Sequence, residues 1–289
     1  MNRRQFVKTA AITLAGAGAT RLSWAADGKL DRVGLQLYTV RESMKKDIDA
    51  TLAQVSQAGF TEVEFAGYFD RPAKELRALI DKHGLGAPSA HTDYKNLGDK
   101  FPQILDYCHA LGHKYIVCPA IDEKILKQPD GWKQAAETFN RAGEEAHKAG
   151  VQLAYHNHVS EFAPLDGRPA YDYLLEQTDP KLMQLEMDLC WITVAGQDPK
   201  RYFDRWPGRI VMVHIKDIHK IPDHLRLETD LKVVEPEMTT IGTGMIDWKK
   251  ILRLCADGGV KHYFVENDAP QHADEFLRGS YQYLHEVRF

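Results

Sequence analysis

The chain has 289 residues, 44% hydrophobic and 27% charged, proportions of a globular protein and not of a disordered, collagen-like or disulfide-dense one. Residues 1–25 carry four basic side chains and no acid, so the remainder holds 33 Lys+Arg against 41 Asp+Glu, a net charge of −8. That balance argues against a nucleic-acid partner, because phosphate backbones are met by clustered basic side chains.

The N-terminus has three parts in order: Arg3, Arg4 and Lys8, then a mild apolar stretch over residues 9–19, then Ser23-Trp24-Ala25. A charged region, a short apolar core and a small-x-small cleavage site make up a secretory signal. The arginine pair followed by Gln5-Phe6-Val7-Lys8 resembles the twin-arginine class, with Asn2 and Val7 in place of its usual Ser and Leu. The resemblance implies that residues 1–25 are removed on export through the twin-arginine machinery. It also implies a protein exported already folded, often with a cofactor inside, and a periplasmic or secreted location. No apolar run approaches the roughly 20 residues of a membrane-spanning helix, so no membrane anchor is expected.

Beyond residue 25 short β-branched runs alternate with amphipathic stretches. Strands are expected at Val33–Tyr38, Glu62–Ala66, Gly86–His91, Tyr115–Pro119, Val151–His156, Met183–Asp188, Ile210–His214 and Tyr263–Glu266. Helices are expected, among others, at Ile48–Ala58, Ala73–His83, Phe101–Leu111, Trp132–Ala149 and Trp248–Ala256. Gly59, Gly84, Gly112, Gly150 and Gly259 stand near their ends, as left-handed caps do. Eight strand–helix units in residues 26–289 fit a single-domain α/β fold, the (β/α)8 TIM barrel. A doubly wound sheet is the alternative, weakened because Gly34-Leu35-Gln36 runs on to Tyr38 without a GxGxxG. Cys108, Cys118, Cys190 and Cys255 form no CxxC pair, so no zinc knuckle or thioredoxin-like site is indicated, and the sequence leaves open whether they pair.

Barrel chemistry sits at the C-terminal ends of the strands. Those ends read Gln36-Leu37-Tyr38, Glu64, His91, His156-Asn157-His158, Asp188, His214 and Glu266, where Val, Ile and Leu would be usual. Asp188, His214 and Glu266 come from three consecutive strands and converge on one side of the mouth. Their mixed oxygen and nitrogen donors suit one divalent Mn, Zn, Co or Fe ion. His156 or His158 would complete four protein ligands, since residues two apart face the same side of a regular strand. Gln36, Tyr38, Glu64, His91 and Trp191, three residues past Asp188, are the candidate sugar-binding residues. Gly242-Thr243-Gly244 either cradles an anion at a helix start or simply makes a tight turn.

Gln36-Leu37-Tyr38-Thr39-Val40-Arg41, Ser89-Ala90-His91, Ala154-Tyr155-His156-Asn157-His158, Glu186-Met187-Asp188, Val213-His214-Ile215-Lys216-Asp217 and Val265-Glu266-Asn267 resemble the xylose isomerase-like TIM-barrel superfamily, the sugar phosphate isomerases/epimerases. The likeness spans residues 33–267. In its epimerases Glu, Asp, His and Glu hold a divalent metal, and the last three fall on Asp188, His214 and Glu266. His156 replaces the first, which removes one of the two opposed glutamates that take and return a proton. The Tyr-His-Asn-His segment is similar instead to inosose dehydratases and to the branch acting on 3-keto-glycosides.

The resemblance implies a metal-dependent enzyme acting on a keto-sugar or glycoside by proton abstraction beside a carbonyl. Elimination or hydration is expected ahead of isomerisation or epimerisation of free sugars. Glu266, His158, Glu161 and Lys216 are the candidate acid/base residues. Glu161 is also a substitute metal ligand, and Lys216 is alternatively a partner of Asp217 or Glu161. A non-catalytic exported carbohydrate-binding protein is a further alternative. A nuclease is disfavoured by charge, by export, and by Trp191 where the DNA-repair branch has a histidine. The partners expected are a small sugar or glycoside, the export machinery and further copies in a homo-oligomer.

Overall fold

The structure, a computed structural model, describes residues 28–223, 225–227 and 231–289; the export signal expected at residues 1–25 lies outside them. Eight strands, β1 (Gly34–Gln36), β2 (Glu62–Phe65), β3 (Gly86–His91), β4 (Tyr115–Cys118), β5 (Gln152–His156), β6 (Met183–Asp188), β7 (Ile210–Ile215) and β8 (His262–Val265), pair in sequence order into a closed barrel. Every pairing in it is parallel, and β1 closes against β8 through Gly34 and Phe264. This is the expected (β/α)8 architecture.

The helices form where sequence pattern and caps agree. Asp47 accepts a hydrogen bond from Ala50 N at the head of Ile48–Gln57, and Asp247 accepts one from Lys250 N at the head of Trp248–Asp257. Gly112, at φ 76°, closes Phe101–Leu111 in the left-handed conformation that L side chains avoid. A C-terminal helix, Ala273–Glu286, packs Phe276, Leu277 and Leu284 inward. No helix among the described residues is long and apolar enough to cross a membrane. All four cysteines are buried and unpaired.

One boundary differs from the sequence expectation by more than a single residue. The first strand stops at Gln36 and the chain turns into a 3-10 helix over Leu37–Val40. Gln36 causes this, because its side-chain oxygen accepts from Tyr38 N and caps the turn. Tyr38 is therefore swung out of the barrel wall onto the rim.

The barrel interior is layered by the period of two along each strand. Tyr115, Val117, Ala154, Val211, Met212 and Phe264 form a separate apolar plug in the interior. The Glu62–His262 pair, 2.8 Å apart, is joined by Arg32. One period further along, the same strands carry polar residues: Ala154 gives way to His156, Met212 to His214 and Phe264 to Glu266. Register sets His156 beside Glu186 and Asp188 beside His214. A shift between Leu185 and Glu186 against β7 adjusts that register at the site itself.

Candidate metal centre and active-site cavity

Imidazoles and carboxylates from six strands or their ends meet at the mouth. His156, Asp188, His214 and Glu266 each offer a ligand atom within 4.8 Å of the others, and so do His91, His156, Glu186 and His214. Two imidazoles are shared, and their two nitrogens separate the sets. His214 Nδ1 lies 2.7 Å from Glu266 Oε2, while its Nε2 lies 2.7 Å from Glu64 and 3.1 Å from Glu186. His156 Nδ1 lies 3.2 Å from Glu186, and its Nε2 faces Asp188 at 3.9 Å.

Glu64 thus stands behind His214 and fixes which of its nitrogens looks toward Glu266, and Glu186 lies behind His156 on the side away from Asp188. Carboxylates behind ligating histidines do this in metal sites generally. His91 joins the layer, 2.9 Å from Glu186 and 3.2 Å from Glu64, and Gln36 Nε2 donates to Glu64 at 2.7 Å.

The donor set fits a divalent cation. Glu64, Glu186 and Asp188 are fully buried, and Glu64 Oε1, Glu186 Oε1, Asp188 Oδ2 and His156 Nδ1 make no hydrogen bond. A buried carboxylate oxygen without a hydrogen bond is costly, and a cation would complete Asp188 Oδ2, which has only the Lys216 ammonium 3.1 Å away. His156, Asp188, His214 and Glu266 would hold it. Their nitrogen and oxygen atoms suit Mn, Zn, Co or Fe over a metal that seeks thiolates.

Burial and charge oppose each other throughout the cluster. Burial lowers the pKa of His91, but Glu64 and Glu186 outweigh it and take it up to about 9. His214 rises well above the usual histidine value, with Glu186 and Glu266 overcoming burial. Burial pushes His156 well down, aided by His214, and pushes His158 down too. Burial raises Glu266, but Lys216 and His214 hold it well below the ordinary carboxylate range. Asp268 is pushed up to about 6 by burial, which Lys216 only partly offsets.

Lys216 is buried among carboxylates, with Nζ 3.1 Å from Asp188, 2.8 Å from Glu266 and 3.0 Å from Asp268. It also lies 5.4 Å from the centre of the Trp191 ring. Its partners are these three carboxylates, and not Asp217 or Glu161, the alternative partners. Asp217 points away and accepts from five donors: Ile218 N, Gly242 N, Gly244 N, Ile246 N and Trp248 Nε1. The Gly242–Gly244 turn does cradle an anion, and that anion is the chain's own carboxylate. A Cβ at Gly244 would lie 2.2 Å from Asp217 Oδ1, so only glycine fits there.

A cavity of about 680 Å³ opens above the cluster, lined by Tyr38, His91, His156, His158, Trp191 and Glu266 among others. Gln36 and Glu64, expected to touch sugar, instead lie beneath it, bonded to the cluster. Glu161 is not brought to the ligands. Its carboxylate is buried and accepts from Tyr155 Oη at 2.6 Å, Ser160 Oγ at 3.0 Å and His158 N at 3.1 Å. Glu186 and Asp268 are the functional candidates the sequence reading missed. Glu186 is two residues before Asp188 and Asp268 two after Glu266, so a period of two was the available signal.

A parallel (β/α)8 barrel with a histidine–carboxylate cluster at its C-terminal mouth defines a barrel enzyme scaffold with a metal-competent site. Residues 52–279 match the model of the xylose isomerase-like TIM barrel family, and the chain belongs to that family. It is 26% identical over 245 residues to an inosose dehydratase of Lacticaseibacillus casei, covering 75% of this chain and 80% of that protein. A crystal structure of a sugar phosphate isomerase/epimerase from Parabacteroides distasonis superposes with a TM-score of 0.72 at 26% identity, covering 91% of this chain and 96% of that one. The IOLI protein, solved with a bound zinc atom, superposes with a TM-score of 0.67 at 16% identity, covering 87% and 95% of the two chains.

Proposed function

We propose that this protein is a divalent-metal-dependent lyase or dehydratase that acts on a keto-sugar or glycoside by removing a proton beside the carbonyl. One observation carries the choice of reaction. The β5 end presents His156 and His158 to the cavity, and the carboxylate of that segment, Glu161, is tied up by three donors outside it. A symmetric epimerase needs a carboxylate on that wall to match Glu266. The similarity to inosose dehydratases supports the same reading.

The metal, when bound, supplies Lewis-acid stabilisation of the negative charge that develops next to the carbonyl. The chain's own groups move the protons. Glu266 and Asp268 line the cavity from the end of β8, and His158 from the end of β5, with β6 and β7 between them. Burial favours neutral His158, which suits it to accept a proton rather than to donate one. Asp268, at about 6, suits delivery of a proton to the departing oxygen. Lys216 anchors Asp188, Glu266 and Asp268 from below, and Trp191 offers a ring for a sugar face.

The Parabacteroides structure favours a second reading, isomerisation or epimerisation of free sugars. Products decide between the two. Metal-loaded protein incubated with keto-glycosides is expected to release an aglycone or form an ultraviolet-absorbing enone. Clean interconversion of two ketoses, with neither product, overturns the lyase reading. We further propose export by the twin-arginine route, which the Arg3-Arg4 pair and Ser23-Trp24-Ala25 support, and which favours free sugars or glycosides over cytoplasmic sugar phosphates.

A further inference from the structure

Beside the active-site cavity lies a second lobe of about 560 Å³, lined by Arg41, Lys45, Phe69, Arg71, Gln103 and Tyr107. The two lobes share Tyr38, Ala66, Tyr68, Asp70 and Ile104, so they form one continuous cleft. Each lobe alone falls within the roughly 300–1,000 Å³ of small-molecule sites. A single sugar ring held at the metal end leaves the side lobe empty.

The side lobe is built for a ring. Tyr38, 41% exposed, stands at the junction, backed by the Arg41 guanidinium 4.0 Å from its centre. Arg41 Nη1 donates to Tyr38 O at 2.8 Å, and no carboxylate pairs with this guanidinium among the described residues. Tyr68 and Tyr107 stack with centres 4.4 Å apart, and the Tyr107 hydroxyl donates to Arg71 O. Gln103, Asp70 and Lys45 add hydrogen-bonding groups around these aromatic surfaces. The segment between the lobes is strained. Phe69 and Asp70 adopt φ of 50° and 54° in succession, a region that bulky residues avoid. That conformation carries Phe69 and Asp70 at the cleft.

We infer that the side lobe binds the second ring of a two-ring substrate, a ring with an apolar face, joined through the bond that is broken. This rests on the reading of the mouth as a keto-glycoside site and names the substrate class as a glycoside rather than a lone monosaccharide. Both a second sugar and an aryl group offer an apolar face to Tyr38, and a sugar adds hydroxyls for Arg41 and Gln103.

The test uses the metal-loaded protein with methyl glucoside, phenyl glucoside and a glucose disaccharide, and with their 3-keto forms. Affinity for the parent glycosides is read by calorimetry, and KM for the keto forms by product release. Two-ring compounds should be favoured over the methyl compound at least tenfold in Kd or KM. In Gln103→Trp, which fills the lobe from an exposed helix position, that ratio should fall to about one, and in Arg41→Ala it should fall several-fold. A phenyl preference assigns the lobe to an aryl group, and a disaccharide preference to a second sugar. Absence of any two-ring preference, or a preference that both variants leave intact, overturns the inference. Tighter binding of two-ring parents without turnover of any keto form supports the lobe and sinks the proposed chemistry instead.

Discussion

Replacing Asp217 by Asn tests the loop that follows β7. In the native chain Asp217 Oδ2 accepts from Gly242 N at 2.9 Å, Gly244 N at 3.2 Å and Trp248 Nε1 at 2.9 Å. Its Oδ1 accepts from Ile218 N at 3.0 Å and Ile246 N at 3.3 Å. An Asn keeps one oxygen, which serves the first three donors, and turns an amide group toward the other two. Two buried N–H groups then lose their acceptor and face a donor, each at about 1–3 kcal/mol. Taking about 1.5–2 kcal/mol for each, the loss is about 3–4 kcal/mol. For a chain of this size each kcal/mol moves Tm by about 2–4 °C, so a fall of roughly 10 °C is expected. The loop carries Glu235, which lines the cavity, and Met238, whose sulfur accepts from Asp268 N. Its release should therefore also raise protease cleavage within residues 219–247. Thermal unfolding followed by circular dichroism, with limited proteolysis beside it, reads both. A Tm within 2 °C of wild type with an unchanged cleavage pattern would refute the argument that this carboxylate holds the loop.

Glu186→Gln should weaken metal binding about 10–100-fold by removing the carboxylate behind His156 and His214, and equal metal affinity in a competition titration with a chelator would contradict that layer. Burial takes His113 down to about 4, with its Nδ1 donating to Ala87 O at 2.6 Å. The unfolded chain protonates this histidine near 6.5 and the folded one only near 4, so stability is lost as pH falls through that window. The loss is about 3 kcal/mol, and urea midpoints of metal-free His113→Gln should depend less steeply on pH there than those of wild type. His156→Ala should lose metal while Glu161→Ala keeps it, and the reverse result in metal analysis would move the fourth ligand to Glu161. Replacing Arg3 and Arg4 by Lys should leave uncleaved precursor in the cytoplasm, and normal periplasmic accumulation would sink the export proposal.

The barrel was legible because its signals are local. Strand runs, helix periods and the glycines that follow helices each follow from nearby sequence, and seven strands stand within one residue of their expected bounds. The first strand overran because a side chain, Gln36, ends it, and no pattern of apolar residues records a cap of that kind. The site was legible where a strand's last residue was chemically unusual. Glu186 escaped because Asp188 beyond it seemed sufficient, although the pleat turns both toward the barrel axis. Asp268 lies past the end of β8, as Glu266 does, so the period of two that reaches it has no apolar run beyond the strand to mark it. The partners of Lys216 are not legible either: Asp217 is next in sequence, but neighbours on extended chain point apart, and the carboxylates it meets are 28 to 52 positions away.

The self-supplied anion under the Gly242–Gly244 turn has a consequence for selectivity. TIM barrels commonly grip phosphate groups with the loops after their last two strands. Here Gly242 N and Gly244 N are committed to Asp217, and Thr243 N to Thr240 O at 3.1 Å. A phosphate arriving at this turn meets no free amide and a fixed negative charge behind it. The amides of this turn are filled by occupancy rather than closed off by shape, so inorganic phosphate should find no competitive foothold there.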